Sequence, residues 1–112
     1  MSDSTIATVD AFSFDAKVFE ATKPVLVLFT ASWCRPATEL EKILQQVAPD
    51  YETRMLIYKC DESESQLIEW GGMVPTVPTL QIYKNGERRA QYVGLLSTLK
   101  LKAWIESSLS SL

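Results

Sequence analysis

The chain reads as an α/β protein whose central mixed β-sheet is flanked by helices on both faces. Three observations predict this. Residues 25–29 are continuously apolar and rich in Val and Leu, as expected of a strand buried on both faces, and residues 55–60, apolar but for Lys59, read as a second buried strand. Between them lies an amphipathic stretch with Leu40, Ile43, Leu44 and Val47 at helical spacing. A strand–helix–strand unit of this kind makes its two strands parallel. Finally, Asn85-Gly86 separates two short strand-like segments, the strongest short hairpin signal, and adds antiparallel pairing.

Each element follows from local chemistry. A short strand is expected near residues 6–9. Ala11-Phe12-Ser13-Phe14-Asp15 leads into a helical stretch at 16–21, with Ser13 or Asp15 as its cap, and Thr22-Lys23-Pro24 breaks it. The central helix runs from about Cys34 to Ala48. Pro36 is tolerated in its first turn, and Pro49 ends it. Residues 63–70 suit a short helix with Gly71 as C-cap. Val74-Pro75-Thr76-Val77-Pro78-Thr79 is a proline-bearing connection. The strand at 80–83 turns at Asn85-Gly86 and returns at 89–93, where Gly94 breaks it. The last helix starts near Ser97, with Leu101, Ile105 and Leu109 on one stripe. No repeat, low-complexity segment or linker interrupts the chain, so its 112 residues predict one domain over 1–112.

Composition narrows the function. Hydrophobic residues make up 46% of the chain, enough for one core without staples. The net charge is −3 and, apart from Arg88-Arg89, the basic residues are scattered. No basic face is available for phosphates, which argues against nucleic acid. The first residues carry neither a positive segment nor a long apolar one, and no apolar run approaches the ~20 residues of a membrane span. These features predict a soluble, cytosolic protein without a membrane partner. Two cysteines form no disulfide framework, which fits a reducing compartment. With no histidine, the chain lacks a Cys–His pair, a Ser–His–Asp triad and His-based metal sites. No organic cofactor and no metal is implied.

The residue that carries chemistry is Cys34, within Trp33-Cys34-Arg35-Pro36-Ala37. It falls just after an apolar strand and at the start of a helix. Free N–H groups and the helix dipole favour a thiolate there. Arg35 adds a positive charge nearby. A buried, inert cysteine is the plain alternative, but the Trp-Cys-x-Pro setting favours a reactive, partly exposed thiol. The spacing invites a Cys-x-x-Cys pair, yet the fourth position is Ala37, so no disulfide can close within the motif. Cys60, at the end of the second buried strand, reads as a small core residue. Its sharper alternative is a distant resolving thiol for Cys34. Trp33 reads as a surface aromatic, Trp70 and Trp104 as packing residues, and Asp61, Glu62 and Glu64 as a solvated acidic helix start.

Taken together, these motifs resemble the thioredoxin family over nearly the whole chain. Ser13-Phe14-Asp15 is similar to its N-terminal segment. Lys23-Pro24-Val25-Leu26-Val27 with Phe29 is similar to its central strand, and Ala31-Ser32-Trp33-Cys34 to its approach to the active site. Val77-Pro78-Thr79-Leu80 and Tyr83-Lys84-Asn85-Gly86 have the family's proline-to-hairpin spacing, and Gly94 with Leu101, Trp104 and Ile105 completes the match. The resemblance implies a thioredoxin-like fold. It makes Pro78, rather than Pro75, a cis-proline facing Cys34, beside a Val77 backbone that pairs with an extended substrate. Three positions depart from the pattern. Ala37 replaces the resolving cysteine, Leu28 a buried aspartate that serves it, and Lys42 a helix-kinking proline. The family's buried lysine falls on Lys59 in an ungapped alignment, or on Ile57 if Trp70-Gly71 is matched to the family's Tyr-Gly pair.

The function implied is thiol–disulfide exchange through Cys34 alone, by mixed disulfides with protein or low-molecular-weight disulfides. Release then falls to an external thiol such as glutathione. Trp33, Arg35, Pro36, Val77, Pro78 and Gly94 would form the substrate groove. Two alternatives stand beside it. One is a redox-inactive binding module using the same groove. The other is an engineered alanine at 37 that traps mixed disulfides of a dithiol protein. The joint loss of the cysteine and its aspartate favours a natural origin, because a buried unpaired carboxylate is costly.

Overall fold

Five strands form one sheet: β1 (Ala7–Thr8), β2 (Val25–Thr30), β3 (Leu56–Asp61), β4 (Thr79–Lys84) and β5 (Glu87–Val93). The computed structural model describes residues 6–68 and 75–112. The strand order is β1-β3-β2-β4-β5. β1 and β2 both run parallel to β3, whereas β4 is antiparallel to β2 and β5 to β4. The sheet is thus mixed, as the two apolar runs and the hairpin require. β2 is central and every one of its residues is buried, which explains its unbroken apolar sequence.

Alternation along β2 divides the core in two. Leu26 and Leu28 join Leu40 and Leu44 of α1 (Arg35–Val47) and Leu101 and Ile105 of α3 (Thr98–Ser110) on one face. Val25, Val27 and Phe29 meet Phe14, Val18, Cys60 and Tyr83 on the other. On that second face Phe14, Phe19 and Tyr83 pack edge to face, with ring centroids 5.1–6.3 Å apart. Trp104 packs partly buried against the first cluster, and Ile43 and Leu109 do the same. Ser97 caps α3 by accepting from the Lys100 N–H at 3.3 Å.

Several local expectations need correction. The stretch after Asp15 is a π-helical turn, Asp15–Phe19, and neither Ser13 nor Asp15 caps it. Ser13 is instead bound to Asp10, whose carboxylate accepts from the Ser13 N–H and hydroxyl, both at 2.8 Å. These bonds hold the Asp10 carboxyl below its usual range. Pro49 does not end the helical path. α1 stops at Val47, and Ala48–Asp50 continue as a 3₁₀ turn closed by Tyr51 N–H donating to Ala48 O at 2.9 Å. Proline has no N–H to give, and the tighter turn asks none of it. The next helix, α2, covers only Glu62–Ser65. Trp70, Gly71 and Val74 lie outside the described residues. Glu64 is not simply solvated, because its Oε1 accepts from the Ala11 N–H at 2.9 Å and ties the N-terminal loop to α2.

Candidate functional site

The site forms where β2 gives way to α1. After Thr30 the chain makes a tight turn, closed by Cys34 N–H donating to Ala31 O at 3.1 Å. Cys34 then takes the N-cap position of α1 with extended backbone angles, φ −101° and ψ 108°. Pro36, in the first turn, lacks only an N–H that no helical carbonyl would have accepted. The sulfur makes no capping bond. It lies at the positive end of the helix dipole and is directed instead at Val77, whose carbonyl oxygen is 3.9 Å away.

Val77 comes from the other side of the sheet's C-terminal edge. The Val77–Pro78 peptide bond is cis. The carbonyl of Pro78 accepts from Gly94 N–H at 3.0 Å, which brings the end of β5 against the turn before β4. Gly94 itself has φ +113°, a backbone state that side chains disfavour. Cys34, Val77, Pro78 and Gly94 are therefore brought close together, with Pro78 buried and the other three partly exposed. Trp33 stands beside Cys34 with 69% of its surface exposed. Arg35 and Pro36 are exposed on the first turn of α1. Cys34 is half-buried, so its sulfur is open to a partner.

The fourth residue of the motif behaves differently. Ala37 is fully buried, as are Leu40 and Leu28 of the α1-side core. Position 37 thus offers no second thiol, and position 28 no acid. The strand register pairs Leu28 with Lys59 and Leu26 with Ile57, so it is Lys59 that lies beside Leu28. Lys59 finds its counter-charge on α1, with Nζ 2.6 Å from Glu41 Oε2. Sequence reading missed Glu41. The available signal was a polar stripe on α1, Thr38, Glu41 and Gln45 at spacings of three and four, running beside the apolar one.

Cys60 is fully buried and belongs to the core cluster on the sheet face opposite α1. In register it neighbours Phe29. Burial, with smaller contributions from Glu64, Asp61 and Asp10, pushes its thiol up to about 12. Both cysteines are free. Among the described residues no group of carboxylates and cysteines could hold a metal ion, and no helix is long and apolar enough to cross a membrane.

Comparison with known proteins agrees with this geometry. The thioredoxin family model matches residues 5–107. A thioredoxin of Acidithiobacillus ferridurans is 35% identical over 109 residues, covering 97% of this chain and all of that protein. A thioredoxin of Pseudomonas aeruginosa is 34% identical over the same span and coverage. One from Rickettsia bellii is 32% identical over 97 residues, 87% of this chain and 92% of that protein. With a cysteine at a strand-to-helix turn facing a Val-Pro-Thr segment on a mixed five-stranded sheet, the chain belongs to the thioredoxin family, whose members exchange thiols with protein disulfides.

Proposed function

We propose that this protein, acting as one thioredoxin-like domain, exchanges disulfides through Cys34 as its only working thiol. The observation that carries the reading is the pairing of an accessible sulfur 3.9 Å from Val77 O with a fully buried alanine at position 37. The Cys34 thiolate attacks one sulfur of a substrate disulfide along the S–S axis. A new S–S bond forms to Cys34 as the old one breaks, and the leaving thiolate takes a proton from solvent. The Val77 backbone and Pro78 line the extended segment around the reacting sulfur, with Trp33, Arg35, Pro36 and Gly94 at the edges of the groove. No sulfur occupies position 37, and Cys60 faces the other side of the sheet. The mixed disulfide is therefore released by an external thiolate such as that of glutathione, which attacks the substrate sulfur and returns Cys34 as thiolate. The step is the same whether Ala37 is native or introduced.

A second reading has its own support. With buried Leu28 and Ala37 in place of an acid and a thiol, a bound substrate has no internal route to release, as in a module that binds partners without turnover. An insulin reduction assay separates the two. Turnover that requires added glutathione, and that is lost in Cys34→Ser, is the outcome of monothiol exchange. No turnover with or without glutathione is the outcome of a binding module. Turnover supported by a thioredoxin-type reductase alone contradicts the monothiol reading.

A further inference from the structure

Beside the thiol, on the β3 side of α1, lies a cleft of about 340 Å³ lined by Thr8, Thr30, Ser32, Thr38, Glu41, Lys59 and Asp61. Nothing in the exchange chemistry uses it. The sulfur of Cys34 faces Val77, which leads into β4, and β2 separates β4 from β3. The cleft is nonetheless coupled to the motif, because Thr38 N–H donates to Cys34 O at 3.1 Å.

Its polar groups are only partly used. Thr30 is 7% exposed, and its Oγ1 has no hydrogen-bond partner among the described residues. A buried hydroxyl without a partner is uncommon and calls for an explanation. Lys59 Nζ and Gln45 Nε2 both bond to Glu41 Oε2, at 2.6 and 3.5 Å. Asp61 Oδ2 takes both the Ser63 N–H at 3.0 Å and its hydroxyl at 2.7 Å. Glu41 Oε1 and Asp61 Oδ1 accept no bond among the described residues. The lining thus carries two carboxylates against one ammonium, with a spare acceptor on each carboxylate, and it includes Thr30, whose buried hydroxyl at the end of β2 lacks a partner. A group with several N–H donors and a positive charge satisfies that set, and carboxylates bind such groups with charge-assisted bonds.

We propose that this cleft binds a guanidinium or primary ammonium group. The group is carried either by a free small cation or by a basic side chain of the disulfide protein that reacts at Cys34. The second source rests on the exchange reading above, whereas the cleft itself does not. An occupant here leaves the sulfur free, since Cys34 is directed at Val77 and does not line the cleft.

The test is an NMR titration of the ¹⁵N-labelled full chain, reduced, with ethylguanidinium chloride against neutral ethylurea at matched ionic strength. The expected result is saturable shifts centred on the amides of Thr30, Ser32, Thr38, Lys59 and Asp61 with ethylguanidinium only. Asp61→Asn keeps a good helix cap, and Glu41→Gln keeps the shape of the side chain. Each should weaken binding by about tenfold, the loss of one charged acceptor. Absence of saturable shifts, equal shifts with ethylurea, or unchanged affinity in both variants overturns the proposal. To identify the source, reaction of Cys34 is timed with an activated peptide disulfide bearing lysine and with its norleucine analogue. A rate advantage for lysine that disappears in Asp61→Asn assigns the group to a substrate. Equal rates with retained ethylguanidinium binding assign it to a free cation. No reaction of Cys34 with either peptide refutes the exchange reading and leaves the titration to decide the cleft.

Discussion

Ala37 and Leu28 are the residues that set this chain apart. Both are fully buried, Leu28 in the core on the α1 face of the sheet and Ala37 in the first turns of α1. A thiol at 37 would need a nearby base to become a nucleophile, and Leu28 supplies none. Lys59 lies alongside in register but is committed to Glu41. Ala37→Cys should therefore form an internal disulfide with Cys34 on oxidation, seen as a loss of two hydrogens in intact mass. It should reduce insulin more slowly than Ala37→Cys with Leu28→Asp. The added aspartate buries a carboxylate, and removing a partner from buried ion pairs indicates a cost of about 3–5 kcal/mol when the charge is unmatched. Melting of the double variant must therefore be followed alongside its rate. Equal rates for the single and double variants would show that the missing acid is irrelevant to release.

Among the elements, the β4–β5 hairpin shows how sequence and structure meet. Asn85 and Gly86 both adopt positive φ, 54° and 81°, as the twist of a two-residue hairpin demands. At Gly86 an added Cβ would also sit 3.1 Å from the carbonyl oxygen of Phe19, a backbone atom with little freedom to move. Gly86→Ala is predicted to destabilise the fold by about 1–3 kcal/mol, measured by urea denaturation, with the exchange site intact. A neutral effect would mean that the turn can change type. Legibility in the sequence followed the range of each interaction. β2, α1 and this hairpin were readable because their signals are local: an apolar run, a helical stripe, a dipeptide. The π-helical turn at Asp15–Phe19 was not, because Ser13 is claimed by Asp10 rather than by the helix. The Lys59–Glu41 pair was also hidden. It joins a strand and a helix 18 residues apart, and only the register of β2 with β3 brings them together. The N-cap place of Cys34 and the cis bond at Pro78 agree with motif spacing, whereas the polar cleft behind Thr30 required the packed structure.

For the whole molecule, three groups make stability fall at high pH. Burial pushes the thiol of Cys60 from an ordinary 9.0 to about 12 and the hydroxyl of Tyr83 from 10.0 to about 12, and burial together with Glu106 does the same to Tyr51. All three values are raised, so the folded state holds protons that the unfolded chain releases first. Stability is fully present below pH 9 and is lost as pH rises toward 12, at about 1.4 kcal/mol per pH unit for each group once its unfolded form ionises. The urea midpoint should be insensitive to these groups below about pH 9 and fall above it. Cys60→Ala should move the onset of that fall up by about one unit, to where the tyrosines take over; an unmoved onset would contradict the burial of the thiol. The proposed chemistry rests on one sulfur without an internal partner. It is tested most directly by intact mass and peptide mapping after incubation of the reduced protein with oxidised glutathione. The predicted product is a single glutathione adduct on Cys34 that persists until fresh thiol is added, with Cys60 unmodified. Loss of two hydrogens in the monomer, a bond between Cys34 and Cys60, would contradict it.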